Sequence, residues 1–403
     1  DCQADNVFDV DGDGFIRPGD LGAYNQFEAL YGLDLGAVPG DCDDTLAEVR
    51  PGALERLGDS RDENCDGSDN QGDFTFGGLD LEGARAPYLL STPQGFVLAV
   101  DVLQAVLPVS TASNAIVMAL FDADLGPDEA PIAIDIAVGP LAEPPGPGLG
   151  IAMEGDRVAL ATARSSGGSV LGTLGTRSIQ SNGLGPYQPS LWQWPSAEPP
   201  LADVQVVDGE ARLVTCAGLG VGLVVEDTRA ATTVAEAVQS CFHDPDGRTV
   251  ACSATACTEW SDPGLSDPQP GPVQPMRYVR QRAEVRAEVL EGVTGLRFGT
   301  ATIATQRVLS NTPVLQGDAI LVDDVWYAVA VTDPATGPRE LRLVHGPTGG
   351  PFVVSDLGDF DATRPDLEPV GATLAASDSR LLVVAALESP TDSAVAWSAL
   401  ARP

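Results

Sequence analysis

The 403 residues carry 22 basic side chains against 58 acidic ones, a formal net charge of −36, so clustered-cation partners such as nucleic acid and anionic membrane surfaces are excluded. Every basic side chain is Arg, which excludes lysine chemistry, and His243 and His345 are too few for a multi-histidine metal centre. A 43% hydrophobic fraction supports a substantial core, 44 Gly and 32 Pro with 5% aromatics favour short strands and tight turns, and no apolar run reaches the length of a membrane span.

The acidity is concentrated at the start. Residues 1–70 hold 18 acidic and 4 basic side chains, a net of −14, which leaves −22 for residues 71–403. A domain boundary is therefore expected between residues 1–72 and 73–403. The first acidic pattern is Asp9-Val10-Asp11-Gly12-Asp13-Gly14-Phe15-Ile16-Arg17-Pro18-Gly19-Asp20. Numbered as a twelve-residue calcium loop, it puts carboxylates at positions 1, 3 and 5, Gly14 at 6, the Phe15 carbonyl at 7, apolar Ile16 at 8 and Asp20 at 12. Calcium takes hard oxygen donors, so alternate residues must turn oxygens inward while Gly14 permits the sharp turn and Ile16 faces a small core. Pro18 suits a first helical position, and Leu21, Tyr24, Phe27, Leu30 and Tyr31 recur at helical spacing up to Gly32. The segment upstream is too short and polar for an entering helix. The element resembles a dockerin-type half EF-hand, loop then helix.

The second pattern is Asp41-Cys42-Asp43-Asp44, then Pro51-Gly52-Ala53-Leu54-Glu55, then Asp62-Glu63-Asn64-Cys65-Asp66-Gly67-Ser68-Asp69. It resembles the metal-binding repeat of secreted bacterial surface proteins, MopE type, which is commonly preceded by an Asp-x-Asp-Gly-Asp-Gly stretch such as Asp9–Phe15. That resemblance implies a small metal-binding module on an exported or surface protein, and one relative is described as copper-binding. The family usually has a further Cys after its Pro-Gly-Ala-x-Glu, where this chain has Leu57; Cys42–Cys65 is then the preferred pair, with Cys2 as competitor or odd thiol. Such a bond closes a loop of about 24 residues and contributes about 3 kcal/mol. The donors Asp41, Asp43, Asp44, Asp62, Asn64, Asp66 and Asp69 are hard oxygens without His or Met among them, which selects Ca²⁺ over copper or zinc. Asp62-x-Asn64-x-Asp66-Gly67 also resembles a thrombospondin type 3 calcium loop, and two bound ions are expected in the module.

From Phe74 onward, short apolar strands alternate with Gly, Pro, Asp and Ser turns. Paired strands are predicted at 95–100 with 115–120, 157–162 with 169–174, 211–215 with 221–225, 325–331 with 340–344 and 380–386 with 394–400, with more near 249–258 and 296–303. Recurrence at this spacing predicts a mainly β body, a six- or seven-bladed β-propeller, with paired β-sandwiches as the alternative. Residues 279–289 alternate apolar and polar and read as one long strand. Cys216, Cys241, Cys252 and Cys257 read as two disulfides, with three pairings open, in preference to a zinc site around His243. No nucleophile elbow, phosphate loop or zincin helix occurs, so no catalytic residue is assigned.

The sequence thus predicts a calcium-binding, non-enzymatic, extracellular or cell-surface protein with oxidised cysteines. Its expected work is structural or adhesive, including a place in an extracellular assembly or filament. The expected partners are calcium and then copies of itself, other surface proteins or glycans. A propeller hydrolase or lyase and a copper-binding surface protein are the competing readings.

Overall fold

A computed structural model describes residues 8–31, 37–51, 53–54, 56 and 61–65, and 80–402 apart from short internal stretches, the longest being 139–147 and 358–365. In the N-terminal part, a two-residue strand β1 (Phe15–Ile16) pairs in parallel with β2 (Val38–Pro39), and helix α1 (Leu21–Tyr31) lies between them in sequence. Pro18 sits in the turn ahead of α1, and the helix starts three residues later than the loop pattern predicts, with Tyr24 N–H donating to Asp20 O at 2.9 Å. Ile16 is fully buried, and Phe8 packs edge-on against Tyr24 and Phe27 at 5.7 and 5.8 Å between ring centres. The Tyr24 hydroxyl accepts from Ala37 N–H at 2.9 Å and ties the far end of the excursion back to the helix.

The body is antiparallel β throughout, in seven successive sheets among the described residues. Sheet 1 holds Asp80–Glu82 and Arg85–Thr92, both on Gly95–Leu107, then Ser110–Phe121 and Ala133–Val138. Sheet 2 holds Gly148–Glu154, Arg157–Ser166 and Ser169–Gln180, with Gly183–Leu184 and Gln188–Pro195 on the last. Sheet 3 runs Leu201–Val207, Glu210–Ala217, Gly220–Val225 and Thr228–Thr233, and sheet 4 runs Ser240–His243, Thr249–Cys252, Cys257–Trp260 and Gln269–Pro270. Sheet 5 runs Met276–Arg282, Val285–Leu290, Leu296–Thr300 and Gln306–Val308; sheet 6 runs Val314–Val322, Val325–Thr332, Glu340–Pro347 and Val353–Asp356. Sheet 7 has three strands, Glu368–Ala376, Arg380–Glu388 and Ser393–Ala401. Two-residue connections keep many of these hairpins tight. Between Val322 and Val325, Asp323 and Asp324 adopt φ of 51° and 62°, the left-handed pair that matches the strand twist.

Apolar side chains close the sheets into a ring. Separate clusters fill the spaces between sheets 7 and 1 (Trp397 with Phe121), 1 and 2 (Met118 with Leu160), 2 and 3 (Leu174 with Leu213), 3 and 4 (Val214 with Trp260), 5 and 6 (Phe298 with Trp326) and 6 and 7 (Leu343 with Leu374). The first strands of sheets 4 and 5 lie side by side, and the first strand of sheet 7 lies against Arg85–Thr92 of sheet 1. Most of the sheets bury both faces on their neighbours, which is why many of their strands read as continuous apolar runs. This is a β-propeller arrangement, and the described residues give it seven sheets.

Buried polar clasps reinforce the ring. The Asp318 carboxylate accepts from Thr373 Oγ1 at 2.8 Å and Leu374 N–H at 3.3 Å, and Thr373 Oγ1 accepts from Leu89 N–H at 3.1 Å, which links sheets 6, 7 and 1. Asp203 repeats the first step between sheets 3 and 4, its Oδ2 accepting from His243 N–H at 3.0 Å.

Residues 276–290 correct the expected single strand. They form a hairpin in which Arg282 pairs with Val285 and Val279 with Glu288. A tight turn preserves an apolar–polar alternation along the sequence, so periodicity does not separate one strand from two. Glu288, on the polar side of that alternation, is buried and meets Arg297 at 3.4 Å.

The N-terminal part rests on the ring at sheet 7. Leu54 packs on the cluster between sheets 7 and 1, and Arg56 forms a parallel bridge with Ala401 at the edge of the three-stranded sheet. The expected boundary at 72/73 lies outside the described residues.

Candidate metal centre

The first loop folds around Asp9. Its Oδ1 accepts from Gly12 N–H at 2.7 Å and Asp13 N–H at 3.1 Å, and its Oδ2 accepts from Gly14 N–H at 3.0 Å. Asp11 Oδ1 accepts from Asp13 N–H at 3.3 Å, and Asp13 Oδ1 from Phe15 N–H at 2.8 Å. Gly12 and Gly14 take φ of +83° and +92°, a conformation that side chains rarely adopt. The β1–β2 ladder uses the carbonyls of Gly14 and Ile16, not that of Phe15.

The ladder also delivers the second motif. Gly40 and Asp41 N–H both donate to Ile16 O, at 3.0 and 3.2 Å, so Asp41 starts beside the loop. Asp44 Oδ1 then accepts from Val10 N–H at 3.0 Å. Carboxylate oxygens of Asp9, Asp11 and Asp44 consequently lie within 4.8 Å of one another. Burial pushes the Asp41 carboxyl above its ordinary value, and the charges of Asp11, Asp13 and Asp44 push it the same way. Burial likewise raises Asp11, with Asp13, Asp9 and Asp44 adding to the shift. Two separate patterns in the sequence thus form one acidic centre.

The centre is short of donors to its oxygens. Asp11 Oδ2, Asp13 Oδ2 and Asp41 Oδ2 are buried without a hydrogen-bond partner, and Asp41 as a whole is 1% exposed. A cation would meet that need, and the donor set bears on its kind: all carboxylate oxygen, with both nearby sulfurs, Cys42 and Cys65, joined in a disulfide. Hard oxygens suit Ca²⁺, Mg²⁺ or Mn²⁺, whereas copper and zinc favour imidazole or thiolate.

The other expected ligands divide. Asp20 lies at the start of α1, where its N–H donates to Arg17 O at 2.9 Å, and its carboxylate is not among the three that converge. Asp43 accepts from Thr45 Oγ1 at 2.6 Å and so faces its own turn. Asp62 and Asn64 are held near Cys42 by the disulfide, with Asp62 O 3.5 Å from Cys42 Sγ. Asp66, Asp69 and Cys2 lie outside the described residues. Two supporting residues are not among the expected ligands. Arg50 donates to Asp13 O at 3.4 Å with its guanidinium 6.0 Å from the Phe15 ring centre, and Glu63 accepts from Arg56 N–H at 2.9 Å while its carbonyl takes Arg50 N–H at 2.8 Å.

Residues 41–70 match the family model Cu-binding MopE, described as "Putative metal-binding motif". Residues 41–70 carry that motif. It supplies Asp41, Asp44 and the disulfide, while Asp9, Asp11 and Asp13 come from outside it. Among curated proteins none is similar in sequence. Solved structures that resemble the chain include a Trypanosoma rangeli sialidase in complex with the inhibitor DANA, at 10% identity and TM-score 0.41 over 79% of this chain and 55% of that one. They also include the β-propeller domain of the Trilobed protease from Pyrococcus furiosus, at 10% identity and TM-score 0.45 over 80% and 98%. The chain spans about half the length of that sialidase. At these values neither likeness bears on what this chain does.

In the body, chemistry-bearing side chains are held inside. His243 is fully buried, and burial first, then the Arg212 charge, lower its pKa to about 3. Burial also lowers His345, whose ring lies 6.4 Å from Tyr327. Both imidazoles are neutral at neutral pH. Of the four body cysteines, Cys252 and Cys257 face each other in a hairpin and are joined. Cys216 and Cys241, the remaining pair expected as a second disulfide, are not joined in the structure.

Proposed function

We propose that the N-terminal module binds Ca²⁺ through Asp9, Asp11, Asp13, Asp41 and Asp44, and that the ion sets the module's fold on an exported, non-catalytic propeller. The observation that carries this reading is the convergence of Asp44 with Asp9 and Asp11, beside a buried Asp41 whose Oδ2 lacks a partner. Without a cation these carboxylates repel one another in a small, poorly apolar segment; with one they become the segment's core. Two disulfides support an oxidising, extracellular address, and no described helix is long and apolar enough to cross a membrane.

A metal-rigidified module seated at Arg56 on the edge of sheet 7 suits a surface protein that binds or assembles, in adhesion or in an extracellular structure. The hydrolase or lyase reading has less support, because His243 and His345 are buried and the Asp203 carboxylate is occupied by a backbone N–H. Isothermal titration of the purified, metal-stripped chain with Ca²⁺ and separately with Cu²⁺ tests the assignment. Tight Ca²⁺ binding that Asp44→Asn weakens at least tenfold is the expected result. Copper binding that leaves calcium without effect would overturn it.

A further inference from the structure

The seven sheets are not equally endowed with apolar surface. Sheet 4 has strands of only four, four, four and two residues; one cluster in it is Phe242, Val250, Cys252 and Cys257, and towards sheet 3 it contributes Cys241, Ala251, Trp260 and Leu265. Small apolar interfaces are where cross-links take over from burial. Sheet 4 already carries one, Cys252–Cys257, which spans its own hairpin and does not link it to another sheet.

Cys216 and Cys241 occupy the place where such a link would act. Cys216 is on the second strand of sheet 3 and Cys241 on the first strand of sheet 4, and both lie in the cluster with Val214, Val221, Ala251, Trp260 and Leu265. They are 1% and 7% exposed, and the two strands that carry them lie against each other. The other four cysteines among the described residues are joined in two disulfides, so a pair of buried thiols in one cluster is the odd state out.

We infer that Cys216 and Cys241 form a third disulfide in the mature protein, stapling sheet 4 to sheet 3. This goes beyond the metal reading and does not depend on it. The bond forms when each thiol loses a proton and the pair gives up two electrons. A small-molecule or protein disulfide accepts these electrons and is released as two thiols. Burial pushes the Cys241 thiol well above its ordinary value, so in the closed interface it is a poor nucleophile. The exchange therefore belongs to folding, before sheets 3 and 4 close.

The test uses the full chain refolded in oxidised and reduced glutathione, at a ratio that oxidises Cys252–Cys257. Denaturation, alkylation and non-reducing peptide mapping then read the state of each cysteine. A cross-linked peptide pair containing Cys216 and Cys241, two hydrogens lighter than its reduced components, is expected. Alkylation of both residues under conditions that protect Cys252 and Cys257 would overturn the inference, as would a link from either to Cys2. Closing this loop is expected to favour the folded state by about a hundredfold in the unfolding equilibrium, read as a raised denaturant midpoint on oxidation. Cys42–Cys65 and Cys252–Cys257 also respond to oxidation, so Cys216→Ser and Cys241→Ser are each expected to show a smaller oxidation-dependent rise than the unaltered chain. A rise as large in either variant as in the unaltered chain would exclude this pair.

Discussion

The module and the propeller solve the same problem by opposite means. The propeller buries apolar side chains between facing sheets and places few charges inside, each with a partner, as Asp318 shows with Thr373 and Leu374. The module has Ile16, Tyr24 and Val49 as buried apolar residues and gathers buried carboxylates instead. One region is held by what it keeps from water, the other by a ligand it must recruit. Removal of that ligand therefore separates them.

The largest effect is expected from chelation. EDTA should expose residues 8–65 to protease at a rate raised by an order of magnitude or more, while the propeller keeps its far-UV spectrum and its unfolding midpoint. Equal protection with and without chelator would break the contrast. Next, Trp397→Ala should destabilise the propeller by about 4 kcal/mol, because Trp397 is fully buried and meets Phe121 edge-on at 5.2 Å. Its denaturant midpoint should fall while calcium affinity is unchanged. Asp318→Ala should cost about 3 kcal/mol, since Thr373 Oγ1 and Leu374 N–H lose their buried acceptor.

Acid sharpens the comparison from the other side. His243 titrates near 3 when folded and near 6.5 when unfolded, so the unfolded chain binds the extra proton between those values. Its contribution is fully present above about pH 6.5 and declines as pH falls, at up to about 1.4 kcal/mol per unit, until about pH 3. Urea unfolding as a function of pH should show a shallower decline in His243→Phe. The smallest effect is expected at Gly14→Ala, where a Cβ meets nothing within 4 Å and only the φ of +92° is strained. About 1 kcal/mol follows, read as a roughly fivefold loss of calcium affinity.

The calcium-loop spacing of Asp9, Asp11 and Asp13 was legible because those residues are neighbours in a single turn, where spacing and geometry are nearly the same thing. The paired strands at 95–100 with 115–120 and 325–331 with 340–344 were legible for a similar reason, since short apolar runs bounded by turns encode local hairpins. The hairpin at 276–290 was not, because its alternation runs unbroken through the turn. Asp203 and Asp318 carried no signal either. A single Asp in an apolar strand looks like a turn residue until the next sheet brings it a backbone N–H.

What the sequence determined by itself was chemistry of short range: an acidic segment with oxygen donors at calcium spacing, no lysine, and a β-rich body cut into hairpins. Tertiary structure alone decided which donors meet. The parallel pairing of Phe15–Ile16 with Val38–Pro39 brings Asp41 and Asp44 to a loop more than thirty residues upstream, merging two motifs into one centre. It likewise decided which cysteines share a cluster, and how the ring closes from Glu368–Ala376 onto Arg85–Thr92. Contacts at such separations depend on burial shared by many side chains, which no local pattern records.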